Sequence, residues 1–312
     1  MGHNHSHNHS HTPASFDRAF AVGTLLNLGF VVAEATYGIL GNSLALVADA
    51  GHNLSDVMGL LLAWGASLLA RKAATASHTF GFKKATILAS LISALLLYGA
   101  VGIIIWEAVQ RLLSPLPVEG LTVIIVAGIG VLINTATALL FFSGRKGDLN
   151  IKGAFLHMAA DAAVSLGVVA AGFAIRATGM LWIDPVLSLL IAVIIIAAGW
   201  GLLKESLHLS LAGVPLHIDS EELLAFLAGL PGVSCVHDLH IWASSTTENV
   251  LTAHLVRPEG GDDAFLTQTA DKLRHHFDIH HATLQIERDD SCMVNSQSSN
   301  CWPQQIAKKD HS

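Results

Sequence analysis

Two short stretches hold residue types and spacings suited to metal chemistry. One is Ala48-Asp49-Ala50-Gly51-His52-Asn53-Leu54-Ser55-Asp56, and the other is His157-Met158-Ala159-Ala160-Asp161. Each contains His-x-x-x-Asp inside a long apolar segment. Positions i and i+4 stand one above the other on a helix, so each stretch offers one imidazole and one carboxylate from a single face. If the two helices face each other, His52, Asp56, His157 and Asp161 form a set of two nitrogens and two oxygens. Such a set suits a tetrahedral divalent transition metal, with zinc the leading candidate. The competing reading is that each His and Asp bonds a neighbouring helix. Ionisable groups at membrane depth are costly, and their recurrence in matched form favours a functional reading.

The elements that must position these residues are membrane helices. The chain has 312 residues, of which 52% are hydrophobic and 13% charged. Soluble domains carry nearer a quarter charged residues. Six apolar segments are each long enough for a span of about 20 residues: 16–41, 43–69, 84–112, 118–142, 151–178 and 181–207. Arg18, Arg71, Lys72, Lys83, Lys84, Arg145, Lys146, Lys152 and Lys204 fall on one side of this pattern, and only Arg111 and Arg176 on the other. The positive-inside rule then places both termini and the C-terminal region in the cytoplasm.

The polar load is uneven. The first span has Asn27, Glu34 and Tyr37; the second has Asp49, His52, Asn53, Ser55 and Asp56; the fifth has His157, Asp161 and Ser165. The third, fourth and sixth are mostly aliphatic, with Glu107 near an outer end and Asn134 within the fourth. Polar faces must turn away from lipid. The expectation is a bundle in which the first, second, fourth and fifth helices surround a wet path. Glu34, Asp49 and Asn53 are candidates for supporting the ligands or passing protons; hydrogen-bonded packing is the equal alternative.

The N-terminal segment carries His3, His5, His7, His9 and His11 interleaved with Asn and Ser. It has no apolar core, so it is not a signal peptide. Its composition predicts disorder and loose metal capture. The net charge of −7 includes no basic tract that would suggest nucleic acid. Three cysteines, Cys235, Cys292 and Cys301, are too few and too scattered for a disulfide framework.

After Leu211 the composition becomes that of a soluble domain. Asp219-Ser220-Glu221-Glu222 reads as a helix start, and Pro231-Gly232 as its stop. Residues 236–242 and 250–256 read as strands, 262–277 as a second helix and 282–287 as a last strand. The result is a small αββαβ domain, marginal alone, for which pairing with a second copy is expected. The expected organisation is a His-rich tail (1–15), a six-helix transmembrane bundle (16–211), an α+β domain (212–288) and a disordered tail (289–312).

These motifs resemble the cation diffusion facilitator family, in its zinc-transporter branch. The resemblance rests on Ser43-Leu44-Ala45-Leu46-Val47-Ala48-Asp49-Ala50-Gly51-His52-Asn53-Leu54-Ser55-Asp56, on His78-Thr79-Phe80-Gly81-Phe82-Lys83-Lys84, and on His157-Met158-Ala159-Ala160-Asp161. It extends to Asp184-Pro185-Val186-Leu187-Ser188 and Val236-His237-Asp238-Leu239-His240-Ile241-Trp242. It implies a homodimeric antiporter in a bacterial inner membrane that exports Zn2+, or related ions such as Cd2+ or Co2+, in exchange for protons. His52, Asp56, His157 and Asp161 would be the transport ligands. The C-terminal domain would have the family's metallochaperone-like, ferredoxin-like fold, bind metal and dimerise. His237, His254, His280 and Glu287 match positions that hold ligands in some members, while Gln285 stands where others have histidine. Ala85-Thr86 follows the loop's basic pair, where members often carry an acid, and His78 stands alone in that loop. Cys292 and Cys301 are nine apart, where several members have a close pair; they would either complete a site across the dimer or be inert thiols, the latter being the favoured reading.

An intramembrane zinc protease would need a motif such as His-Glu-x-x-His, which does not occur. A nucleotide-driven pump would need a phosphate loop, Gly-x-x-x-x-Gly-Lys-Ser/Thr, which is also absent. The remaining alternative is a membrane-anchored zinc sensor that does not transport.

Overall fold

A computed structural model describes residues 28–142 and 149–288. The described part of the first helix, α1, is Leu28–Leu40. It is followed by α2 (Leu44–Ala70), α3 (Ala85–Leu113), α4 (Gly120–Phe141), α5 (Leu149–Thr178) and α6 (Ile183–Ser210). These five are long and apolar enough to cross a membrane. Large apolar side chains remain exposed along them, including Ile103, Trp106, Leu132 and Val193. Such a surface is expected where lipid is the solvent. The chain divides into two compact units, one of Met1–Met58 and Leu95–Gly199, the other of Gly59–Ala94 and Trp200–Ser312.

In the first unit the helices join through tight, well-satisfied connections. Residues 41–43 link α1 to α2, with Asn42 in the left-handed region at φ 54°. Ser43 caps α2 by accepting from the Leu46 amide at 3.3 Å. Small residues let helices approach closely. A Cβ on Gly130 of α4 would lie 2.7 Å from Phe30 of α1 and 3.1 Å from Ser165 of α5. Gly120 and Gly172 likewise bring α4 and α5 into backbone contact. Leu46, Val101, Ile104, Val123, Val168 and Ile191 fill the apolar interior.

The C-terminal part of the second unit comprises α7 (Ser220–Ala228), β1 (Cys235–Ala243), β2 (Asn249–Val256), α8 (Asp263–Phe277) and β3 (Ile279–Glu287). This is the αββαβ order read from the sequence. Asp219 caps α7, accepting from the Glu221 and Glu222 amides at 2.9 and 3.1 Å. Asp262 caps α8 through the Phe265 amide at 2.8 Å. The sheet order is β1-β2-β3, with β1 antiparallel and β3 parallel to β2. Leu223 and Leu227 of α7, Leu273 of α8, and Leu251 and Leu255 of β2 share one buried core. Burying each leucine contributes about 1.5–3 kcal/mol.

Most boundaries differ from the sequence expectation by one to three residues. α7 ends earlier than Pro231-Gly232, at Ala228, where Gly229 closes the last turn onto the Ala225 carbonyl. β3 starts at Ile279, three residues before the expected position, because it continues the pairing with Asn249. The five tail histidines (His3, His5, His7, His9 and His11), Asn27, Cys292 and Cys301 lie outside the described residues. Cys235 is held in a disulfide, so one cystine exists where no disulfide framework was expected.

Candidate metal centres

α2 and α5 each carry a His-x-x-x-Asp face, and the structure turns the two faces together. His52 Nε2 lies 3.7 Å from Asp56 Oδ2 and 3.9 Å from Asp161 Oδ1. His157 Nε2 lies 3.2 Å from Asp56 Oδ2 and 3.6 Å from Asp161 Oδ2. Each imidazole therefore meets a carboxylate on its own helix and one on the other. The rings sit edge to face with centroids 6.0 Å apart. A tetrahedral zinc holding ligands at about 2.0–2.1 Å would set its donor atoms roughly 3.3 Å apart. The observed separations are of that order.

The four side chains are unequally shielded. Asp161 is 4% exposed and His52 21%, whereas Asp56 and His157 are 37% and 43% exposed. The site is closed on one side and open on the other. His52 Nδ1, Asp56 Oδ2 and Asp161 Oδ2 are buried atoms without an aligned hydrogen bond. The two orphaned carboxylate oxygens, beside the Nε2 atoms of His52 and His157, fit a cation better than a packing contact, since a buried polar group left unpaired is costly. The donor atoms of His52, His157 and Asp161 all lie within 4.8 Å of one another. Asp56 falls outside that triplet yet makes the shortest cross-helix contact, so we count it with the other three.

Behind this group lies a second polar layer. Glu34, Asp49, Asn53, Asn134 and Ser165 are all buried. They come from α1, α2, α4 and α5, the four helices expected to share a polar interior. Ser165 donates to Asp49 Oδ2 at 3.0 Å. Glu34 lies beside Asp49 and Asn53. The Glu34 carboxyl oxygens and both side-chain amides, of Asn53 and Asn134, make no well-aligned hydrogen bond among the described residues.

The C-terminal domain holds a separate cluster. In register, His237 of β1 pairs with His254 of β2, and Glu287 of β3 lies two residues beyond the partner of His254. His237 Nε2 is 3.0 Å from Glu287 Oε2, and His254 Nδ1 is 2.9 Å from Glu287 Oε1. Side chains two apart on a strand share a face, which brings the three together. His280 does not join them. It sits at the start of β3, near Asp278 at 3.7 Å, about 23 Å along the strand from Glu287. Sequence reasoning passed over Asp238. A β-bulge between His237 and His240 and a φ of 52° at Asp238 turn its carboxylate to 3.6 Å from His254 Nε2. A bulge leaves no dependable mark in the residue pattern, although Asp tolerates the left-handed region better than most residues. His240 Nε2 also meets Asp238, at 3.0 Å.

Five membrane-long helices, buried ionisable groups among them and a small αββαβ domain following in sequence define a multi-pass membrane protein. Comparison with known proteins narrows this. A family model described as the cation efflux transmembrane domain matches residues 20–209, and one described as the cation efflux protein cytoplasmic domain matches residues 215–289. The chain is 37% identical over 288 residues to the cation efflux system protein CzcD of Alcaligenes sp. (strain CT14), covering 92% of this chain and 90% of that one. It is 37% identical over 291 residues to the zinc transporter ZitB of Escherichia coli, covering 92% and 93%. To the cadmium, cobalt and zinc/H(+)-K(+) antiporter of Bacillus subtilis it is 32% identical over 316 residues, covering 100% and 99%. The chain belongs to the cation efflux family, the cation diffusion facilitators, in its zinc-transporter branch. Members of this family move metal cations across the membrane.

Proposed function

We propose that this protein exports Zn2+ from the cytosol in exchange for protons, with His52, Asp56, His157 and Asp161 as the transport site. The observation that carries this is the cross-helix convergence of the two His-x-x-x-Asp faces, with His157 Nε2 3.2 Å from Asp56 Oδ2. The names of the relatives, which include zinc, cadmium and cobalt, support a divalent cargo and leave room for Cd2+ or Co2+. We take residues 16–211 as the transport domain, 212–288 as a cytosolic metal-binding and dimerisation domain, and 1–15 and 289–312 as tails. The protein acts as a homodimer in a bacterial inner membrane. The cations Arg71, Lys72, Lys83 and Lys84 between α2 and α3 support placing that loop and both termini in the cytoplasm.

Zinc needs neutral imidazoles and ionised carboxylates, so loading releases protons, and protonation expels the metal. Histidine titrates near physiological pH, so a modest pH difference between the two sides suffices. Alternating exposure of one site then couples the two gradients without a nucleotide. Glu34, Asp49 and Asn53 line the closed side, where they support the ligands or pass protons. His237, His254 and Glu287 form the cytosolic station, with His280 apart from it. In the tail, His3, His5, His7, His9 and His11 raise the local concentration of zinc.

Zinc uptake into inverted vesicles tests the reading. Asp161→Ala removes one donor and one compensating charge, and it should lower uptake by more than tenfold while the protein stays folded and inserted. Near-native uptake by that variant would overturn this transport site, and no uptake even by the wild type would leave the anchored-sensor alternative, in which the cytosolic cluster alone binds zinc.

A further inference from the structure

The connection between α2 and α3 folds against the turn between β1 and β2. Lys83 Nζ pairs with Glu248 Oε2, the Thr246 amide donates to Thr86 Oγ1 at 3.0 Å, and Phe80 meets His281 edge to face at 5.7 Å. Gly81 makes this fold possible: at φ +68°, a Cβ there would sit 3.2 Å from the Lys72 carbonyl. Between the loop and the turn lies a cavity of about 590 Å3. Its wall carries three cations, Arg71, Lys72 and Lys83, against one carboxylate, Glu248. Glu248 is matched by Lys83. Arg71 and Lys72 have no ion-pair partner among the described residues.

We propose that this cavity binds the phosphate group of an anionic phospholipid. Two unmatched cations on a concave wall call for an anion with several acceptor oxygens, and a guanidinium and an ammonium together suit a phosphodiester. The location selects the source. Arg71 and Lys72 directly follow the last residue of α2, a membrane span. Leu61, Trp64 and Leu68 stand exposed at helical spacing on the turns before them. A phospholipid can lay acyl chain along that stripe while its phosphate reaches the cavity. Free phosphate meets the same cations and gains nothing from the stripe. Orientation signals require positive charge in such a loop, but they do not require a cavity or a loop locked onto a folded domain. The site is independent of the zinc ligands, and its test does not read zinc flux.

Native mass spectrometry of the full-length protein, with phosphatidylglycerol, phosphatidylcholine or inorganic phosphate added, measures retention directly. Wild type should hold phosphatidylglycerol in preference to phosphatidylcholine. The double variant Arg71→Gln/Lys72→Gln should lose that affinity by about 10- to 30-fold, the loss expected for two cations near an anionic headgroup. Lys204→Gln, a cation of α6 outside the cavity wall, should leave retention unchanged. Glu248→Gln removes the sole carboxylate and frees Lys83, so it should tighten retention, an outcome a misfolded variant cannot give. Equal retention of the two lipids, undiminished binding by the double variant, or looser binding by Glu248→Gln would each overturn the proposal. Displacement of the lipid by inorganic phosphate would overturn the lipid as the source.

Discussion

Asp184, at the start of α6, accepts a hydrogen bond from Ser43 Oγ at 2.6 Å, across 141 positions of sequence. The same carboxylate accepts from the Leu44 amide at 2.7 Å and the Ala45 amide at 3.4 Å, the first N–H groups of α2. An acid from one membrane helix thus caps another, where the helix dipole favours negative charge. Arg111 of α3 comes within 4.0 Å of the same group and donates to the Asn42 carbonyl. Asp184, Ser43, Leu44 and Ala45 are buried, so the donors that Asp184 accepts from find no replacement in water. Asp184→Ala should therefore cost several kcal/mol, at about 1–3 for each orphaned donor, and Ser43→Ala about 1 kcal/mol. Thermal unfolding in detergent should rank the two in that order. Equal, small shifts would show that the cap does not hold α2.

His52 should set metal preference. Imidazole is a rigid donor that holds zinc at about 2.0–2.1 Å, while a carboxylate binds through one or two oxygens and tolerates a larger ion. His52→Asp should retain flux and raise the cadmium-to-zinc ratio. Competition between the two metals in vesicles reads this directly; an unchanged ratio with flux intact would assign selectivity to packing.

Proton coupling gives a directional result. With no metal gradient, an acidic outer side should drive zinc outward, and a protonophore should stop it. The sign follows from ligand protonation: an ordinary histidine titrates near 6.5, so a drop through about pH 6.5 on either side weakens metal binding on that side. Zinc flux indifferent to the gradient would describe a passive channel.

The C-terminal cluster makes a sharper prediction than the sequence alone could. His237→Ala should lower zinc affinity of the cytosolic station by about tenfold or more, equivalent to about 1.4 kcal/mol. His280→Ala should leave it unchanged, because His280 sits at the far end of β3. Calorimetry on a variant that carries Asp161→Ala and lacks residues 2–11 isolates the station. A loss of affinity in the His280 variant would contradict the arrangement.

The candidate-site residues were legible because helical periodicity maps i and i+4 to one face, so His52 with Asp56 and His157 with Asp161 could be paired by inspection. That the two faces converge is a matter of helix packing, with Ser165 of α5 bonded to Asp49 of α2, which no local pattern reports. The cap on α2 was illegible for the same reason: nothing near Ser43 names a carboxylate 141 residues away. In the C-terminal domain, alternation placed the strands correctly, but register decides who meets whom. Glu287 joins His237 and His254 because β3 runs parallel to β2, while His280 on the same strand is carried away from them. The bulge that turns Asp238 toward His254 is set by backbone geometry rather than residue type.

The anchorage of α2 at one end has a mechanical corollary. A helix of 27 residues is a stiff rod about 40 Å long. With its Asp184-bound end as fulcrum, Asp56 stands about 18 Å along the rod and Ala70 about 39 Å. A tilt of 10° would sweep Asp56 through roughly 3 Å, enough to break a coordination shell, and Ala70 through roughly 7 Å. Small rearrangements around the cargo would thus emerge about doubled at the far tip, beside Arg71 and Lys72.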